Sequence, residues 1–105
     1  MFKIDIHTHI LPENLNDLTN TFSDPRFVRM DAIDDKTAML RKDDKAFRQV
    51  ECNCWNHHTR MKECHETGVD VQVLSTIPVL FSYWAQDNEC LSLSEFINNH
   101  IASIC

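Results

Sequence analysis

Phe2-Lys3-Ile4-Asp5-Ile6-His7-Thr8-His9-Ile10-Leu11-Pro12 is the stretch that decides how this chain folds. Apolar and polar residues alternate over positions 2–6, and the run then enters His7-Thr8-His9 before Pro12 stops it. That pattern predicts a short strand with chemistry at its C-terminal end. In a strand, residues two apart share a face. His7 and His9 are thereby expected side by side, able to grip one metal ion, with Asp5 on the same face one step earlier. Ile4, Ile6 and Ile10 are expected to keep the opposite face apolar and to anchor the strand. Neutral imidazole nitrogen suits Zn²⁺, with Fe, Ni and Cu also open. Two solvent-facing histidines at a strand edge fit the same letters.

Beyond Pro12, residues 13–21 predict one short helix. Phe27-Val28-Arg29-Met30 and Ala46-Phe47-Arg48-Gln49-Val50 resemble two short strands. Lys42-Asp43-Asp44-Lys45 between them is a plausible turn, so the pair is expected to form a hairpin or small sheet. Asn56 is a good N-cap for a helix reaching Thr67, with Gly68 in the position where a left-handed residue ends a helix. Val69-Asp70-Val71-Gln72-Val73-Leu74 predicts a β-branched strand closed by Ser75-Thr76-Ile77-Pro78. Leu91, Leu93, Phe96, Ile97, Ile101 and Ile104 follow a helical spacing over residues 89–104. Strand, elaborated loop, helix, strand, loop, helix is an order that points to a parallel α/β sheet with right-handed crossovers. Two such strands close nothing. A (β/α)₈ barrel needs eight strands and typically about 250 residues, and its active sites lie at the C-terminal strand ends.

Composition narrows the class. The 105 residues suit one small domain, taken here as 1–105. A net charge of −6 argues against nucleic acid or an anionic membrane as a partner. No apolar run approaches the roughly 20 residues of a membrane span, and the N-terminus lacks signal-peptide features. The five cysteines are therefore expected as reduced thiols in the cytosol. A lone glycine is too few for the left-handed turns of a closed small domain. The pattern Ile101-Ala102-Ser103-Ile104-Cys105 also carries no helix stop signal. Both features raise the expectation of the front portion of a longer protein.

Other residues invite functional readings. Arg48 offers a rigid fork for a carboxylate, although a surface strand arginine is the plainer account. Cys52, Cys54, His57, His58, Cys64 and His65 suggest a small zinc module, but Cys-x-Cys is the wrong spacing and half-buried thiols are the plainer reading. Phe81, Tyr83 and Trp84 either wall a substrate pocket or plug the loop onto the body. Asp34, Asp35, Asp43 and Asp44 read as solvated loop charges.

Several blocks together resemble one family. They are residues 1–12, Lys45-Ala46-Phe47-Arg48, Asn53-Cys54-Trp55, Gly68 through Val79, and Phe81-Ser82-Tyr83-Trp84-Ala85. The chain resembles the 2-amino-3-carboxymuconate-6-semialdehyde decarboxylases of the amidohydrolase-like superfamily across essentially its whole length. The resemblance implies a Zn²⁺-dependent, non-oxidative decarboxylase of tryptophan and kynurenine catabolism that limits quinolinate formation. It implies the N-terminal portion of a (β/α)₈ TIM-type barrel, incomplete, with a small inserted sheet after the first strand. His7 and His9 match the first two metal ligands, and Arg48 matches an arginine that holds a substrate carboxylate. No catalytic residue falls within this chain, because the family's remaining histidines and aspartate lie in later strands that His57, His58, His65 and His100 do not match. The family forms homodimers, so the chain is expected to be inactive alone and open to association with full-length subunits. A small zinc-binding or non-catalytic interaction module is the competing reading.

Overall fold

A computed structural model describes residues 1–105, with ten elements in the order strand, helix, three strands, 3₁₀ turn, helix, strand, 3₁₀ turn, helix. Strand β1 covers Ile4–Ile10 and β5 covers Val71–Thr76; the two pair in parallel. Between them lie helix α1, Leu15–Thr19, and an antiparallel sheet of β2, Arg29–Ala32, β3, Thr37–Lys42, and β4, Lys45–Glu51. Helix α2, His57–Thr67, precedes β5, and α3, Asp87–Ile104, closes the chain. The expected parallel α/β pairing and the inserted sheet are both present.

The inserted sheet differs from expectation in one strand. Thr37–Lys42 forms its centre, and the turn Asp43-Asp44 joins it to β4 rather than joining the two outer strands. The alternation Thr37-Ala38-Met39-Leu40-Arg41-Lys42 carried the signal, with Ala38 and Leu40 buried. Asp43 and Asp44 both take positive φ, 55° and 59°, as a two-residue type I′ turn requires. The preceding turn is held by Asp34. Its Oδ1 accepts from Lys36 N, Thr37 N and Thr37 Oγ1, each at 2.8 Å. These bonds, the Lys36 amide first, hold its carboxyl below the ordinary range, so Asp34 caps the turn while remaining an exposed loop charge.

Helix α2 begins and ends as its letters dictate. Asn56 Oδ1 accepts from Thr59 N at 3.0 Å, and Gly68 sits at φ 73°. In α3, Leu93 and Ile97 are buried, whereas Leu91 faces away from the body.

The main core lies under the inserted sheet. Leu11, Leu15, Phe27, Met30, Leu40 and Leu93 belong to one cluster built from α1, β2–β4, α3 and their loops. No residue of β5 is buried, and in β1 only Thr8 and Ile10 are.

Candidate metal centre at the end of the first strand

The register of β1 against β5 decides which side chains meet. Ile4 lies opposite Val71 and Asp5 opposite Gln72, but Thr8 lies opposite Leu74 and His9 opposite Ser75. One extra residue is thus inserted in β1 between Asp5 and Thr8, the signature of a bulge, which re-aims the strand that carries it. Partners directly opposite share a face, so Ile4, Val71, Val73, His9 and Ser75 lie on one side. Asp5, Gln72, Thr8, Leu74 and Ile10 lie on the other. This corrects two expectations. Asp5 is not on the face of His9; its carboxylate accepts from Gln72 Nε2 and from the His7 amide, both at 3.3 Å. Ile4 and Ile6 do not anchor the strand, because both are exposed and only Ile10 is buried.

The two imidazoles stand together all the same. Their ring centroids are 4.9 Å apart, with the planes nearly perpendicular. One zinc ion about 2.1 Å from a nitrogen of each ring, in tetrahedral geometry, sets the centroids about 5 Å apart. The pair matches that separation, which is also that of an ordinary edge-to-face ring contact. His9 Nδ1 lies 3.0 Å from Ser75 Oγ, whose hydroxyl donates to Thr8 O at 2.9 Å. With its proton so committed, Ser75 oxygen accepts from His9 Nδ1–H, leaving the Nε2 lone pair free for a metal. The fit stops at two donors. No three His, Cys, Asp or Glu side chains are placed to hold one ion, whereas a catalytic zinc takes three protein ligands.

Arg60, which the sequence reading passed over, braces the end of β1 from α2. Its Nη1 donates to His9 O at 2.8 Å and to Asn53 O at 2.9 Å, its Nε to Gln72 Oε1 at 3.1 Å, and its Nη2 to Thr8 Oγ1. An arginine in a helix whose neighbours are Met61 and Lys62 carries no distinguishing local signal. Gln72 and Ser75 were equally silent, since each acts through a residue about 67 positions away.

Arg48 lies opposite the buried Leu40, on the face of the inserted sheet that turns toward the core. It is exposed, and its side chain forms no hydrogen bond or ion pair. Burial pushes the Cys54 thiol up, opposed first by a backbone hydrogen bond, then by the Arg60 charge and last by that of Arg48. The carbonyl of Cys54 in turn accepts from Leu11 N at 2.8 Å, two residues past His9. The cysteine and histidine cluster brings no third donor to Cys52 and Cys54; Cys52 Sγ instead faces Thr59 Oγ1 at 3.9 Å. The aromatic triplet divides. Trp84 packs on Phe27 at 4.7 Å under the Arg26 guanidinium, as a plug, while Tyr83 is 88% exposed and lies 6.0 Å from the exposed Phe81.

Comparison with known proteins supplies the kinship. No family model matches the chain. The 2-amino-3-carboxymuconate-6-semialdehyde decarboxylase of Caenorhabditis elegans is 43% identical over 103 residues, which is 98% of this chain and 26% of that protein. The protein of the same name from Dictyostelium discoideum is 41% identical over 102 residues, 97% of this chain and 28% of its own length. Along nearly its whole length the chain is therefore a relative of the 2-amino-3-carboxymuconate-6-semialdehyde decarboxylases, spanning about a quarter of the length of the curated relatives it matches.

Proposed function

We propose that this chain supplies the first-strand part of a zinc-dependent decarboxylase site on a (β/α)₈ scaffold. The substrate is 2-amino-3-carboxymuconate 6-semialdehyde, an intermediate of tryptophan breakdown in the cytosol whose removal limits quinolinate. The observation that carries this reading is the His7–His9 pair, at the spacing one ion needs, on the C-terminal end of a parallel strand. Bound zinc supplies a Lewis acid that lowers the pKa of water at neutral pH. His7 and His9 hold it, and Ser75 keeps His9 in the tautomer that can bind. Arg48, unpaired and facing the core side of its sheet, fixes the substrate through a carboxylate, a positioning role. No third His, Cys, Asp or Glu side chain is grouped with the pair, so the chain is expected not to turn over substrate alone.

Titration of the chain with Co²⁺, followed by its visible spectrum and by calorimetry, tests the reading. Weak binding that disappears in His7→Ala and in His9→Ala, and survives in Cys52→Ser/Cys54→Ser, is the expected result. Loss of binding in the cysteine variant would transfer the metal to the other cluster, and decarboxylation by the isolated chain would overturn the assignment of an incomplete site. A second reading, a non-catalytic piece that associates with full-length subunits, is favoured by the exposed apolar side chains Ile4, Ile6, Val71 and Val73. Co-purification with the full-length enzyme tests it.

A further inference from the structure

We infer that Arg60 is a positioning residue for the metal pair, resting on the reading of His7 and His9 as metal ligands. The bulge between Asp5 and Thr8 breaks the regular ladder just where the histidines begin. Beyond it the ladder resumes, with Thr8, His9 and Ile10 paired to Leu74, Ser75 and Thr76, and Arg60 adds a side-chain brace to that end. One guanidinium reaches the carbonyl of His9, the hydroxyl of Thr8, the carbonyl of Asn53 and the amide oxygen of Gln72. It thereby joins the end of β1 to the 3₁₀ turn Cys52–Cys54, to α2 and to β5. No acidic side chain pairs with it, so its charge is offset by four neutral acceptors, two of which flank the His9 imidazole along the chain. Gln72 extends the brace to Asp5 on the near side of the bulge. Both sides of the inserted residue are tied, directly or through Gln72, to one guanidinium, and Ser75 restrains the His9 ring from the opposite face.

The planar fork matters here, not the charge alone. Lysine carries the charge but reaches fewer acceptors and in no fixed plane. Arg60→Lys is therefore expected to free the end of β1 while the inserted sheet remains folded. Two measurements on the full chain check this. Amide hydrogen exchange of Leu11 is expected to accelerate about tenfold or more in Arg60→Lys, as loss of charge-assisted hydrogen bonds implies. Exchange at Leu40 and Val50, in the inserted sheet, is expected to stay as in the parent. Co²⁺ affinity is expected to fall about 10- to 100-fold, as for other outer partners of metal ligands. Equal acceleration everywhere would make Arg60 a general stabiliser and overturn the proposal, as would unchanged exchange at Leu11. Should the parent chain and His9→Ala bind Co²⁺ alike, the metal reading fails. Selective exchange at Leu11 would still establish Arg60 as the brace of the strand end. Gln72→Leu, which removes one acceptor and leaves the His9 carbonyl bond, is the milder control, with an effect smaller than that of Arg60→Lys.

Discussion

At the scale of single residues, the polar groups separate into those that act through geometry and those that act through burial. His9 and Ser75 are of the first kind, since one hydrogen bond selects which ring nitrogen faces outward. His100 is of the second. Its Nε2 is buried without a hydrogen-bond partner, and its pKa is lowered by burial first and by His57 second, with Glu13 opposing. A folded-state value below the ordinary 6.5 means that folding disfavours the proton. Its contribution to stability is fully present above 6.5 and is lost as pH falls through the lower folded value. Urea denaturation midpoints are therefore expected to drop as the solution is acidified through this range, with a shallower slope in His100→Gln. An unchanged slope in that variant would remove His100 as the cause. The histidine pair was readable from the letters because two residues in one strand need no knowledge of the rest. Arg60, Gln72 and Ser75 were not, since their partners are brought to them only by the parallel pairing.

At the scale of elements, local chemistry explains most boundaries. Asn56→Ala removes the acceptor for the Thr59 amide and is expected to cost about 1 kcal/mol in chemical denaturation. At Gly68 an added Cβ would meet only Lys3 Nζ, at 3.8 Å, so packing is not at stake there. The left-handed backbone is, and Gly68→Ala is expected to cost about 1 kcal/mol for that reason alone. The β3–β4 turn offers the reverse case. Asp44 holds φ 59° with a side chain, and Asp44→Gly is expected to stabilise the hairpin by about 0.5–1 kcal/mol, read as a higher denaturation midpoint. A destabilised variant would show that the Asp44 carboxylate holds the turn. The outer strands of the inserted sheet are legible in the letters, whereas for the central strand, Thr37–Lys42, only the turn at its end was named.

At the scale of the whole molecule, exposure dominates. The accessible surface is 6933 Å², against about 6,100 Å² for a folded monomer of this mass. The radius of gyration is 14.5 Å, against about 13 Å for a chain this long. Only 16 of 105 residues are buried, and the core sits under the inserted sheet rather than on the parallel pair. Ile6 is 78% and Val73 50% exposed, which puts strand side chains of core type in water. The isolated chain is expected to bind a hydrophobic dye strongly and to self-associate in sedimentation, with Ile6→Thr/Val73→Thr reducing both. A dye-silent monomer with a sharp thermal transition would contradict this. The same exposure supports the proposal that the chain is inactive alone, since no further His, Cys, Asp or Glu side chain is grouped with the histidine pair as a third ligand.

The sequence by itself determined the parallel strand order, the capped helix from Asn56 to Gly68, the histidine pair and the kinship with one decarboxylase family. Each of these rests on residues near one another in the chain, or on blocks whose order alone carries the signal. Only the tertiary structure decided that a bulge turns Asp5 away from His9, that Ile4 and Ile6 lie bare, and that Arg60 and Ser75 hold the end of the strand. Those outcomes depend on register, and register is set by how β1 meets β5, some 67 residues apart, rather than by either strand's own letters.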